Sequence, residues 1–186
     1  MRIIAGSRRG MTLYAPKHQD TRPTEARVKE NLFNLLGDVC RGRRVLDAFA
    51  GSGALGLEAL SRGAKSAVFY EKDKRTFDVL RKNVEKARFQ EESSLRQKDV
   101  RRLFQGEEEF NLVFLDPPYR GGDYEEILQS LRLHLQKGAL IVVERSVHEP
   151  LEYPEGYELL KSRCYRETVV EIGKYIGHES DLCREF

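Results

Sequence analysis

Between residues 44 and 146 the chain alternates short apolar runs with stretches whose apolar side chains recur every three or four positions. Residues 44–47, 67–70, 94–98, 112–115 and 138–144 have strand length, and most are apolar throughout, as strands covered on both faces are. Between them the spacing predicts helices over 55–60, from near Lys74 through Phe77, Leu80, Val84 and Ala87, and from Asp123, in a capping box with Glu126, to about His134. Strand and helix in alternation define an α/β parallel sheet. Two further strand patterns, 157–166 and 168–176, follow each other without a helix. They predict an antiparallel hairpin at one edge, with residues from Gly177 onward fraying.

Ahead of this region, residues 2–6 and 11–15 read as two short strands joined by the turn Ser7-Arg8-Arg9-Gly10. A polar stretch, 17–22, precedes Pro23 and Thr24, and Thr24 is a good N-cap for a helix from Glu25 to Leu36 that stops at Gly37. Val28, Leu32, Leu35 and Leu36 place one face of that helix on the sheet, leaving Arg27, Lys29 and Glu30 for the other. The organisation expected is a basic hairpin arm over 1–22 and one α/β domain over 23–186, a size that suits a single core.

Composition narrows the classes. Three cysteines without C-x-x-C spacing argue against a disulfide framework and a zinc site, and the four histidines show no ligand spacing, so no metal is expected. The first residues carry no apolar leader and no run is long enough to cross a bilayer, which predicts a soluble, cytoplasmic protein. Net charge is only +2, yet residues 1–44 hold ten basic and four acidic side chains, while the remainder holds 22 basic and 26 acidic. A basic arm on a mildly acidic body suits a polyanion held by the arm, with Arg8 and Arg9 at the hairpin tip placed for phosphates.

Candidate chemistry gathers at strand ends. Asp116-Pro117-Pro118-Tyr119 follows the fourth strand. The Asp116 carboxylate and the Pro117 carbonyl can accept from the two hydrogens of a planar amine, rigid prolines fix their direction, and the Tyr119 ring offers a stacking face worth roughly 1–3 kcal/mol. The first strand runs into Gly51, Gly53 and Gly56, which match a dinucleotide G-x-G-x-x-G pattern. Asp47, four residues ahead of Gly51, would repel a pyrophosphate and attract the ammonium of S-adenosylmethionine, although it also suits a helix cap. Glu71, at the end of the second strand, stands where ribose hydroxyls are held. Asp99, after the third, suits either an adenine amine or an N-cap.

These motifs occur together in a recognisable order. Residues 2–6 with Gly10, Thr21-Arg22-Pro23-Thr24 with Arg27, Glu30 and Phe33, then 47–53, Glu71-Lys72-Asp73 and Asp116 to Tyr119 resemble the bacterial 16S rRNA guanine-N2 methyltransferase family, RsmD. The motif-level resemblance runs up to Tyr119; beyond Glu144 it is one of general shape. It implies a Rossmann-like class I methyltransferase, a seven-stranded sheet with its last strand reversed, acting on one guanine of the small ribosomal subunit or a late assembly intermediate. It also implies S-adenosylmethionine held by Asp47, Phe49, Gly51, Gly53, Glu71, Lys72, Asp99 and Val100. Asp116, Pro117 and Tyr119 would be catalytic, and Arg22 and Pro118 would face substrate; charge alone adds Arg8, Arg9 and Arg27 to the substrate-facing set. Two alternatives stay open: an amine methyltransferase acting on DNA adenine or cytosine or on a protein glutamine, and a non-catalytic ribosome-assembly factor.

Overall fold

The computed structural model describes residues 1–16, 23–102, 109–117 and 124–177, with the backbone alone at 23–25 and 102. Seven strands form one sheet: β1 (Arg44–Asp47), β2 (Ser66–Tyr70), β3 (Ser93–Arg96), β4 (Phe110–Leu115), β5 (Leu135–Ser146), β6 (Tyr157–Tyr165) and β7 (Thr168–Tyr175). Their spatial order is β3-β2-β1-β4-β5-β7-β6. β1 to β5 pair in parallel, and β7 runs antiparallel between β5 and β6, as the two final strand patterns required. Helices α1 (Pro23–Leu36), α2 (Ala54–Ser61), α3 (Lys74–Ala87) and α4 (Tyr124–Leu131) connect them. No helix among the described residues is long and apolar enough to cross a membrane.

Alternation along the central strands divides the core into two layers. Val45, Phe69, Leu112 and Phe114 face one layer, beneath α1, α2 and α3. Leu46, Val68, Val113 and Leu115 face the other, with Ile127, Leu128 and Leu131 of α4. α3 shows how sequence sets position: Asp73 caps it by accepting from the Thr76 amide at 2.8 Å, and Leu80, Asn83, Val84 and Ala87 make its buried stripe.

Boundaries differ from the sequence reading where pairing, not propensity, decides them. β5 begins at Leu135 rather than at residue 138, because Leu135 pairs with Phe110 before the register shifts to Leu112 opposite Leu140. β3 is shorter than expected, ending at Arg96 where a turn carries the Lys98 amide onto the Arg96 carbonyl. The capping residue Asp123 lies outside the described residues.

Two further expectations are corrected. The N-terminal hairpin has one isolated bridge, Arg2 to Thr12, instead of two strands. It gains its order by docking: Ile3 and Leu13 lie in the first core layer, and the Ile4 and Ala5 amides donate to the Glu58 carboxylate at 2.7 and 3.0 Å. Lys29, expected on the outer face of α1, is buried. Its ammonium lies 3.1 Å from Glu58 and donates to the Arg2 carbonyl at 3.0 Å. Burial pushes the Lys29 ammonium below its ordinary range, and Glu58 pulls the other way.

Glu58 is wholly buried and also accepts from Arg62 Nε at 2.8 Å, so one carboxylate joins the N-terminal segment, α1 and α2. Removing it leaves a buried ammonium and two backbone amides without their acceptor. Glu58→Ala should therefore lower unfolding stability by about 3–5 kcal/mol in urea titrations. A loss below about 1 kcal/mol, the range of surface ion pairs, would contradict this role.

Candidate functional site

Register brings the strand-end acids together. Asp47, the last residue of β1, lies opposite Phe69 of β2 on one side and Phe114 of β4 on the other. Glu71 and Asp116 directly follow the ends of β2 and β4, so each stands one step beyond its strand on either side of Asp47. Backbone bonds continue past the strands and hold the loops: the Ala48 amide donates to Phe114, Ala50 to Tyr70 and Glu71 to Arg96, all within 3.1 Å. Parallel sheets present ligands with this carboxyl edge.

The loop from Asp47 to Gly53 turns sharply, with the Gly53 amide 2.6 Å from the Ala50 carbonyl. Gly53 in this loop and Gly56 in the first turn of α2 have steric causes. Gly53 sits at φ +82°, and an added Cβ would lie 2.5 Å from Leu80 Cδ1. A Cβ on Gly56 would lie 2.2 Å from the Phe69 ring and 3.1 Å from Asp47 Oδ2. That close approach lets the Gly56 amide donate to Asp47 at 2.9 Å. Asp47 thus does serve as a capping acceptor for α2, and it does so while facing two other acids.

Electrostatics follow from this crowding. Burial pushes the Asp47 carboxyl up to about 7; the Gly56 amide opposes the shift, and Asp116 and Glu71 add to it. Burial also raises Glu71, against hydrogen bonds from the Asp73 amide (2.8 Å) and the Gly51 amide (3.0 Å). Asp116 is exposed at the rim and Pro117 is buried behind it. Asp116 and Glu71 thus place negative charge beside Asp47 and the glycine loop, an arrangement that disfavours a pyrophosphate there.

The other expected cofactor residues line the same edge in varied roles. Phe49 is half-buried against the second core layer, and the Val100 side chain is packed inside that layer. Asp99 accepts from the backbone amide, Nε and Nη2 of Arg101 at 3.0–3.1 Å, which lowers its carboxyl from the ordinary value. It therefore acts as the cap of the turn Val100–Arg102. Lys72 Nζ lies 3.8 Å from Asp99 and its side chain is mostly exposed. Pro118, Tyr119 and Arg22 lie outside the described residues.

The hairpin tip does not join this cluster. The Ser7 amide donates to the Ser61 carbonyl at 2.8 Å and Arg8 Nε to the Ala87 carbonyl at 2.6 Å, the last residues of α2 and α3. Both helices start at the carboxyl edge and finish at the opposite one, so Arg8 and the exposed Arg9 stand at the far end of the sheet from Asp116. The Arg8 guanidinium also covers the Phe89 ring at 4.9 Å, so it has a packing task at that end of the sheet. Arg27 is exposed on α1, which ends at the amino edge and so directs its first turns toward the acids.

Two residues of consequence went unread in the sequence, Glu58 and Asn83. Each left a signal: one acid inside the apolar ALGLEALS helix, and one amide on the apolar stripe of α3.

Strand order, the single reversed strand and the glycine loop between β1 and α2 define a Rossmann-like methyltransferase fold. The chain belongs to the family described as Conserved hypothetical protein 95, whose profile matches residues 1–174. It is 41% identical over 172 residues to ribosomal RNA small subunit methyltransferase D of Haemophilus influenzae, covering 88% of both chains. It is 35% identical to YlbH of Bacillus subtilis over 186 residues, covering 95% of this chain and 100% of that one. The solved structure of Escherichia coli yhhF superposes with a TM-score of 0.86 at 34% identity, covering 96% and 99% of the two chains. Family membership and fold imply a methyl donor of the S-adenosylmethionine type.

The burial of Asp47 makes stability depend on pH. Its folded value of about 7 exceeds the ordinary 3.8, so its contribution is fully present below about pH 4 and is lost as pH rises through 7. Asp47→Asn should be more stable than the wild type by about 2–4 kcal/mol at pH 8, with the gap shrinking by pH 5 in urea titrations at both values. A gap independent of pH would show that Asp47 does not titrate as a buried acid.

Proposed function

We propose that this protein transfers a methyl group from S-adenosylmethionine to the exocyclic N2 amine of a guanine in 16S ribosomal RNA, within the small subunit or a late assembly intermediate. The observation that carries this reading is the convergence of Asp47, Glu71 and Asp116 at three adjacent strand ends beside the glycine loop. The residues fit the cofactor: Asp47 would take the ammonium, Gly51 and Gly53 would border the methionine half, and Glu71 would accept from the ribose hydroxyls. Phe49, Lys72, Asp99 and Val100 would border the adenosine, with Asp99 sharing its acceptors with Arg101.

When bound, this donor supplies an electrophilic methyl whose carbon bonds to the amine nitrogen while the carbon–sulfur pair stays on sulfur, giving S-adenosylhomocysteine and a protonated amine. What the chain adds is orientation. Asp116 and the Pro117 carbonyl would accept the two amine hydrogens and hold the nitrogen lone pair toward the methyl. Pro117, which is buried, together with Pro118 would keep those acceptors fixed, and Tyr119 would stack on a guanine drawn out of its helix. The excess proton would pass to Asp116 or to water. Arg22 and Arg27 would meet RNA at the site, with Arg9 meeting phosphate at a distance, and names of the relatives support a ribosomal substrate.

Asp116→Ala should lower turnover by about 10²–10³-fold in a tritiated-methyl assay on small subunits lacking the modification, while calorimetry shows cofactor affinity within about twofold of wild type. Unchanged turnover would remove Asp116 from the mechanism. Mass spectrometry of the product should place the methyl on a guanine N2; transfer to duplex DNA or to a protein glutamine instead would overturn the ribosomal reading.

A further inference from the structure

We propose that Asn83 is a positioning residue that ties the cofactor loop to the docked N-terminal segment, so that cofactor affinity depends on how that segment is seated. This rests on the functional reading above and adds to it. Asn83 is wholly buried on α3, well away from the strand-end acids in sequence. Its Oδ1 accepts from the Tyr14 amide at 2.7 Å, and its Nδ2 donates to the carbonyls of Tyr14 at 3.0 Å and Ser52 at 2.8 Å. Ser52 is the residue between Gly51 and Gly53.

One side-chain amide therefore serves three backbone groups on two segments, the N-terminal segment at Tyr14 and the glycine loop at Ser52. Packing alone does not call for an amide there, because the neighbouring stripe positions Leu80, Val84 and Ala87 are apolar. A shape-matched leucine would leave the Tyr14 amide and two carbonyls without their partner in a dry interior.

The segment held at Tyr14 is itself seated by the next turn of α3. Lys86 Nζ donates to the Thr12 carbonyl and lies over the Tyr14 ring at 4.5 Å. The start of α3 faces the other way: Asp73, its cap, donates its amide to Glu71. α3 thus carries the Glu71 acid at one end and the N-terminal segment at the other, with Asn83 fastening the glycine loop between them. A force on the Tyr14 end of the N-terminal segment, such as RNA would exert, has in this amide a direct route to the glycine loop beside the one Glu58 offers through α2, and by reciprocity cofactor binding tightens the segment.

The experiment is calorimetry of S-adenosylmethionine binding to the full-length wild type, Asn83→Ala, Lys86→Ala and the double variant, with kcat at saturating cofactor alongside. Expected are about tenfold weaker binding for Asn83→Ala and about threefold for Lys86→Ala, with kcat within about twofold. The double variant should bind no more weakly than Asn83→Ala, because Lys86 acts through Asn83. Asn83→Asp, which keeps size and the acceptor for Tyr14 but withdraws the donors, decides the point by the same affinity where the alanine variant does not fold. Lys86→Ala changes only an exposed side chain, so unchanged affinity there overturns the link whatever the Asn83 variants do. So does a Lys86 effect that persists without Asn83, or an Asn83 variant that loses thermal stability but keeps its affinity. Failure of the wild type to bind S-adenosylmethionine would instead sink the functional reading.

Discussion

Burial of the Asp47 carboxyl at the end of β1, between two other acids, is the constraint around which this molecule is arranged. In a dry interior an ionised carboxylate is costly unless something compensates it, and among the described residues the amide of Gly56 does so. That amide arrives only because residue 56 lacks a side chain and α2 can press against Phe69. Asp116 and Glu71 add repulsion to that burial, and a cation placed among the three acids would relieve it.

Holding such a site requires a rigid surround, and the fold provides it through buried polar groups that are fully engaged. Glu58 gathers two amides, an ammonium and a guanidinium, while Asn83 gathers three backbone groups. Both lie between the N-terminal segment and the helices that frame the glycine loop. The segment is thus a structural partner of the site rather than an appendage swinging free of it. Its core residues Ile3 and Leu13 are as buried as those of the central strands. Loosening it would disturb groups that reach the cofactor loop through one or two hydrogen bonds.

The sheet was legible in the sequence because its signals are local. Continuous apolar runs marked β2 and β4, the spacing of Phe77, Leu80, Val84 and Ala87 marked α3, and two strand patterns without a helix between them marked the antiparallel edge. The acids of the site were legible for a related reason: each directly ends or follows a strand, and parallel register then aligns them without further information. What stayed hidden depends on tertiary partners. Lys29 reads as a solvent-facing residue until Glu58 is placed opposite it, and no helical spacing reports a carboxylate on a different helix. Arg8 reads as a phosphate ligand until the end of α3 offers it a carbonyl and a ring. The start of β5 shifted because its pairing with Phe110, not its own composition, extends the strand.

This division bears on how charge is used. The excess of basic residues in the first 44 positions suggests a polyanion-binding arm, yet two of those residues, Lys29 and Arg8, are spent on folding. Long-range attraction of RNA needs only exposed charge and falls off with salt over about 8–10 Å, so Arg9 can contribute from the far end of the sheet. Under the proposed function, placing a guanine against Asp116 would need contacts at the carboxyl edge, and there the exposed arginine that the described residues supply on α1 is Arg27. Steering and positioning are thereby separated in space. A charge count along the chain measures the first and says nothing of the second, which is set by the strand ends and not by the basic arm.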